Sequence, residues 1–270
     1  MARGTIIPIG GAEEKVSDAA ILRRFVEICG DDAHIVIIPT ASRLEDTGDR
    51  YCELFKELGV AEATSINFVE RKDCSDEEHL AVLERAEGVF LTGGNQLRLS
   101  TTLGGTPVAE LLRRRYFNDR LHVAGTSAGA AFLPEHMIAG GAEGGIPRAD
   151  KVTLAPGLGL TPWAIIDQHF RQRDRMGRLL AALAYNPRPC GIGLDEDTAA
   201  VIFPDDTFEV VGSGGITVID PSEIEYTSMD SSRADYPVTI IGARVHILTD
   251  GDVYDIHKHK ATPSIRLSRT

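Results

Sequence analysis

Short β-branched apolar runs alternate along this chain with stretches whose apolar residues recur every three or four positions. Residues 5–9 (TIIPI) read as a strand, and Pro8, which has no N–H for a ladder, places it at an edge or frays it. Gly10-Gly11 then turns the chain into a helix with Val16, Ala19, Ala20, Leu22, Phe25, Val26 and Cys29 on one face. Residues 34–38 (HIVII) are apolar without a break, the pattern of a strand covered on both faces of a parallel sheet. A helix over 47–58 gathers Tyr51, Leu54, Phe55 and Leu58 on one side. Residues 64–68 make a weaker strand, and Ser75 serves as N-cap for a helix over 76–86. Strands at 88–91 (GVFL) and 121–124 (LHVA) flank a helix that Pro107 opens, with Val108, Leu111 and Leu112 on its buried side.

Strands alternating with helices across short loops predict an α/β fold, a doubly wound, mostly parallel sheet with helices on both faces. After Ala200 the rhythm changes. Runs at 201–203, 207–211, 217–219 and 239–248 are separated by turn residues such as Asp205-Asp206 and Gly212-Ser213-Gly214-Gly215, which predicts an antiparallel extension of the same sheet. No linker-like segment or internal repeat interrupts the 270 residues, so residues 1–270 are expected to form a single domain.

Composition narrows the function classes. No stretch approaches the roughly 18 uncharged apolar residues of a membrane span. The start, Met1-Ala-Arg-Gly-Thr-Ile-Ile-Pro, lacks the long apolar core of a signal peptide, which points to the cytoplasm and away from a membrane. Twenty-eight Lys and Arg against 40 Asp and Glu give a net charge of −12, a poor basis for neutralising nucleic-acid phosphates. Cys29, Cys52, Cys74 and Cys190 are far apart and form neither a zinc pattern nor a disulfide framework.

The strongest chemical signal is Gly125-Thr-Ser-Ala-Gly129, a G-x-S-x-G pattern between a predicted strand and the small-residue run Ala128-Gly129-Ala130-Ala131 that can open a helix. A serine on so sharp a turn leaves no room for side chains two positions either side. The turn exposes the hydroxyl and aims the following backbone N–H groups at a developing oxyanion. A serine nucleophile needs a base and an orienting acid. Of eight histidines, only His169 combines the C-terminal end of a strand-like run (residues 164–167, AIID) with a dense cluster of functional side chains. That edge is where open α/β sheets place their sites. For the acid, Gly191-Ile-Gly-Leu-Asp195-Glu196-Asp197 is another apolar run that ends in carboxylates. Glu196 is the first choice, Asp195 comes close behind, and Glu143 in the loop after the elbow is an outside candidate.

Arg171, Arg173, Arg175 and Arg178 crowd the residues after His169, ahead of a helix with Met176, Leu179, Leu180 and Leu183 on its buried stripe and Asp174 as its N-cap. Cations at a helix N-terminus oppose the macrodipole. Setting them there, beside a candidate catalytic histidine, suggests a site whose guanidinium forks hold carboxylates of the substrate. Thr92-Gly93-Gly94-Asn95-Gln96, at another strand end, offers a second oxyanion N–H and a polar side chain in Gln96. Neither glycine loop is a nucleotide fingerprint and no metal-ligand spacing appears, so no cofactor and no metal are expected.

These segments together resemble the cyanophycinases, serine peptidases related to dipeptidase E. The likeness rests on Ile9-Gly-Gly-Ala-Glu13, Ile38-Pro-Thr-Ala-Ser42, Leu91-Thr-Gly-Gly-Asn-Gln96, Gly125-Thr-Ser-Ala-Gly-Ala-Ala131, Ile166-Asp-Gln-His-Phe-Arg-Gln-Arg173 and Gly193-Leu-Asp-Glu-Asp-Thr198. The last two, with Arg175 and Arg178 behind them, are the most specific. The resemblance implies a fold like that of the class I glutamine amidotransferases and a homodimer. It also implies hydrolysis of cyanophycin, a poly-aspartate with arginine amide-linked to each side chain, to β-Asp-Arg dipeptides. By matching motif it makes Ser127 the nucleophile, His169 the base and Glu196 the third member. Gln96, Asp167, Gln168, Arg173, Arg175 and Arg178 would line the substrate pocket, with Asp167 facing the substrate guanidinium. Gly94 and Ala128 would supply the oxyanion N–H groups. The competing readings are an aspartyl dipeptidase acting on small peptides and a non-catalytic protein that binds acidic peptides. An amidotransferase glutaminase would want cysteine where Ser127 stands.

Overall fold

The computed structural model describes residues 3–30, 32–233 and 236–264, so Met1 and Ala2 of the N-terminal reading lie outside the described residues. Five strands form a parallel core: β1 (Ile6–Ile9), β2 (His34–Ile38), β3 (Glu62–Ser65), β4 (Gly88–Leu91) and β5 (His122–Thr126). They lie in the order β1-β5-β4-β2-β3. The helices between them are α1 (Ala20–Cys29), α2 (Thr47–Glu57), α3 (Glu77–Arg85), α4 (Gln96–Leu103) and α5 (Pro107–Asn118). Strand residues divide by parity. Ile6, Val36, Ile38, Val89, Leu91 and Val123 pack in one core cluster with Leu83 and Leu112 of α3 and α5. Ile7, Ile9, Ile35, Ile37, Phe90 and Ala124 pack in another with Leu22 and Phe25 of α1 and Phe55 of α2. Helices therefore cover both faces, and burial on both sides explains why these strands read as unbroken apolar runs.

After β5 come α6 (Ala128–Phe132), a hairpin of β6 (His136–Gly141) and β7 (Val152–Pro156), β8 (Ala164–Gln168), α7 (Met176–Tyr185) and β9 (Cys190–Leu194). The remaining strands are β10 (Thr198–Ile202), β11 (Thr207–Gly212), β12 (Gly215–Asp220), β13 (Tyr226–Thr227), β14 (Ile240–Ile241), β15 (Arg244–Thr249), β16 (Val253–Asp255) and β17 (Lys260–Thr262). β10, β11, β16 and β17 do extend the main sheet antiparallel beyond β1. The expected extension of one sheet is only half of the arrangement. β12 and β15 instead join β9 and β8 in a separate four-stranded sheet. Residues 239–248 are broken at Gly242, whose φ of 91° brings it 2.2 Å from the Glu223 carbonyl as measured from a would-be Cβ.

Four local expectations are corrected. β1 is central, paired with β5 on one side and β10 on the other. It tolerates Pro8 because the pairing with β10 is made at Ile6 and Ile9 and skips the proline. The third strand ends earlier than expected, at Ser65. α3 is capped by Asp76 and not Ser75, its carboxylate accepting from the N–H groups of Glu78 and His79. Likewise Asp174 does not cap α7: it sits in the turn before it at φ 46°, and Arg175 holds the cap position.

Candidate active site

The elbow is built as its glycines require. β5 ends at Thr126, and Ser127 follows with φ 51° and ψ −107° before α6 begins. A Cβ on Gly125 would stand 2.5 Å from the carbonyl carbon of Gly129, and one on Gly129 2.2 Å from the Leu91 carbonyl oxygen. No larger residue fits either position. Ser127 is held in a region that costs about 1–3 kcal/mol for a non-glycine residue, and surrounding hydrogen bonds sustain it.

Three consecutive carbonyls at the C-terminal end of β1 draw the site together. Ile9 accepts from the N–H of Ser127 at 2.9 Å, Gly10 from His169 at 2.9 Å, and Gly11 from Asp197 at 2.9 Å. One short glycine turn thus fixes the elbow, the loop after β8 and the loop after β9. The result is a linear relay. Ser127 Oγ lies 2.9 Å from His169 Nε2, and His169 Nδ1 lies 2.7 Å from Glu196 Oε1. A Cβ on Gly11 would stand 2.3 Å from His169 Cε1, so the imidazole rests directly on that glycine, itself at φ 97°.

The two other carboxylates weighed as the acid are engaged elsewhere. Asp195 accepts from the backbone N–H groups of Arg171 (3.1 Å) and Gly215 (3.3 Å) and meets the Arg171 guanidinium at 3.2 Å. Glu143 is exposed and acts on Arg175, whose charge it favours. Burial is the largest influence on His169 and pushes its pKa below 6.5. Glu196 opposes that shift, and Arg173 and Arg175 add to it. The ring is therefore neutral, and able to accept a proton, at neutral pH.

The arginines divide into two kinds. Asp167 is wholly buried in β8, and both of its oxygens are taken by Arg178, through Nε at 2.6 Å and through a terminal nitrogen. Arg175 adds a contact to Asp167 at 3.4 Å, donates to the Gln168 backbone carbonyl, and reaches the Gln168 side-chain oxygen at 3.0 Å. Asp167 therefore holds the arginines in place and does not present itself to a substrate guanidinium. Its charge offsets those of Arg175 and Arg178 at the start of α7, which eases the conflict of cations with the macrodipole. Burial lowers the pKa of Arg175 to about 10, the neighbouring arginines contributing and Asp167 opposing. Arg173, by contrast, is exposed. Gln96 opens α4 and donates to the carbonyls of Ile138 (3.3 Å) and Ala139 (3.1 Å), which ties the β4 edge to the β6–β7 hairpin. Gly93 faces Ser127, since its Cβ would lie 3.4 Å from that of Ser127, while Gly94 packs on Ala41 and Ser42. Ala128 is buried at the first position of α6.

A cavity of about 320 Å³ opens beside Ser127 and His169, walled by Glu13, Lys15, Arg50 and Tyr51. Sequence reasoning noted the glycine turn but gave no role to these residues. For Glu13 and Lys15 the available signal was position, shortly after the C-terminal end of β1; Arg50 and Tyr51, within α2, carried none.

Comparison with known proteins gives the family of the chain. Residues 6–211 match the model of peptidase family S51. The cyanophycinase of Trichormus variabilis is 44% identical over 262 residues, covering 96% of this chain and 88% of that protein. The cyanophycinase of Geminocystis herdmanii is 42% identical over 266 residues, 97% of both chains. A peptidase from an acI-B1 Actinobacterium superposes with a TM-score of 0.70 at 21% identity over 94% of this chain and 97% of that one, a likeness of fold. The family and the relatives make the chain a peptidase, a hydrolase of peptide bonds. The chain belongs to peptidase family S51.

Proposed function

We propose that this peptidase hydrolyses cyanophycin, with Ser127 as nucleophile, His169 as general base and acid, and Glu196 as the group that orients His169. The observation that carries the reading is the Ser127–His169–Glu196 relay of 2.9 and 2.7 Å beside arginines held by a buried aspartate. The 42–44% identity to cyanophycinases over nearly the whole chain supports the choice of substrate.

In the mechanism, Glu196 accepts from the Nδ1–H of His169, which leaves the Nε2 lone pair facing Ser127 Oγ. Nε2 takes the hydroxyl proton as Oγ attacks the backbone carbonyl of an aspartyl residue. The N–H groups of Ala128 and Gly94 stabilise the oxyanion. His169 returns the proton to the departing amine, and the acyl-enzyme remains. Water, deprotonated by the same Nε2, then releases the acid product and restores Ser127. Arg173, which is exposed, draws in the arginyl carboxylates of the polymer, with the buried Arg175 and Arg178, fixed by Asp167 and Gln168, adding positive charge behind it and Gln96 holding the β6–β7 hairpin. The family resemblance adds a homodimer, which sedimentation of the purified protein tests.

The test is incubation of the purified protein with insoluble cyanophycin, followed by mass spectrometry. β-Asp-Arg appears with the native chain and is absent with Ser127→Ala. If none appears while short aspartyl peptides are cleaved, the substrate assignment gives way to a dipeptidase. Among the described residues no helix is long and apolar enough to cross a membrane.

A further inference from the structure

The wall of the cavity beside Ser127 carries a buried carboxylate that the reaction above does not use. Glu13 is almost wholly buried, its side chain 1% exposed, yet it borders the space next to Ser127. Its Oε2 accepts from Thr126 Oγ1 at 2.6 Å and its Oε1 from Tyr51 Oη at 2.5 Å. The remaining partner is Lys15, whose Nζ lies 2.9 Å from Oε1 and 3.0 Å from the Glu13 backbone carbonyl, with its side chain 40% exposed. The same ammonium stands 5.7 Å from the centroid of the Tyr51 ring. That ring is fixed by tilted contacts with Phe90 at 4.7 Å and Phe55 at 6.3 Å. Two of the three donors to Glu13 therefore come from fixed groups, the buried Thr126 and the packed Tyr51, while the third is a half-exposed lysine reaching in from the cavity.

A carboxylate with fixed neutral donors behind it and an aromatic face beside it is a cation subsite. We propose that Glu13 and the Tyr51 ring receive a guanidinium or ammonium group of the substrate, and that Lys15 fills the place until that group displaces it. The inference rests on the reading of Ser127 as the nucleophile of a peptidase whose substrate bears cationic side chains. Arg50, at the cavity wall, is the other charged group facing this space. Being cationic, it leaves Glu13 as the anion that selects a positive group.

Isothermal titration with butylguanidine, a guanidinium on a short carbon chain, tests this without turnover. The native protein binds butylguanidine and does not bind butylurea, its neutral analogue. Lys15→Met tightens butylguanidine binding about two- to fivefold, the worth of one half-exposed ion pair. Glu13→Gln weakens it at least tenfold. Since Glu13→Gln could disturb Thr126 and the elbow, Lys15→Met provides the second arm, with the opposite sign. Equal binding by all three proteins, binding of butylurea as tight as that of butylguanidine, or weaker binding by Lys15→Met would overturn the proposal. Failure of the cyanophycin reading looks different: butylguanidine still binds in a Glu13-dependent way, but no β-Asp-Arg is released.

Discussion

Replacing Glu196 by glutamine removes the charge behind His169 and keeps the side chain's shape. The bond it breaks is charge-assisted, 2.7 Å long, from an imidazole nitrogen to a carboxylate whose side chain is 38% exposed. Hydrogen bonds to charged groups contribute about 1.5–3 kcal/mol net, which is a factor of about 10 to 150 in rate. A second effect adds to this. If the amide NH₂ turns toward Nδ1, the ring proton moves to Nε2 and faces Ser127, which leaves no base. Locking a buried triad into that wrong tautomer costs about 10⁴ in trypsin. Here the partly open site lets the amide present its oxygen instead, so the expected loss in kcat/KM is about 10²–10³. The pH profile moves as well. Glu196 raises the His169 pKa against burial and the nearby arginines, so its loss shifts the acid limb of kcat/KM to lower pH. Asp195→Asn, which touches backbone N–H groups and Arg171 instead of His169, leaves that limb where it was. Stopped assays of dipeptide release across pH 4–8 read both quantities. A Glu196→Gln enzyme within about fivefold of native, or an acid limb that stays put or rises, would refute the assignment.

Other predictions follow from the same contacts. Gly11→Ala places a methyl 2.3 Å from His169 Cε1 and lowers kcat by at least about 10² with the protein still folded, as circular dichroism and single-turnover rates will show. Asp167→Asn leaves Arg178 and Arg175 without their buried counter-charge and destabilises the fold by about 3–5 kcal/mol in urea titration; a loss under about 1 kcal/mol would mean that the pair is solvated. His122, whose Nδ1 accepts from the Thr5 N–H at 3.1 Å, has its pKa lowered by burial from 6.5 to about 4. The unfolded chain therefore binds more protons between those values, and stability present above pH 6.5 is lost as pH falls toward 4, by about 2–3 kcal/mol. His122→Asn, which keeps an acceptor but cannot charge, flattens that part of the stability curve; an unchanged slope counts against the argument.

The parallel core was legible because its strands bury both faces and its helices show a clear apolar stripe, as in residues 34–38 and 20–29. The second sheet was not, because an apolar run says that a strand is covered and not which sheet it joins; β12 pairs with β9 through contacts remote in sequence. The cap of α3 was missed by one residue because Ser75 and Asp76 are both good caps and only the geometry of the turn chooses. At the site, spacing brought forward Ser127, His169 and Glu196, which the structure places in one line of hydrogen bonds. It did not reveal that Asp167 points beneath the arginines, since a strand covered on both sides leaves no polar alternation to mark an inward carboxylate. Nor did it reveal that the Ile9, Gly10 and Gly11 carbonyls join the three loops, because backbone hydrogen bonds carry no side-chain signature.

The central claim is that Ser127 is the nucleophile, and covalent labelling tests it most directly. The native chain is treated with a small neutral serine-acylating probe, digested and mapped by mass spectrometry, and residual hydrolysis is followed in parallel. The account predicts one adduct on Ser127, hydrolysis lost in step with labelling, and neither adduct nor hydrolysis in Ser127→Ala. An adduct on a different residue that abolishes activity, or a Ser127→Ala enzyme that turns over at the native rate, would contradict it.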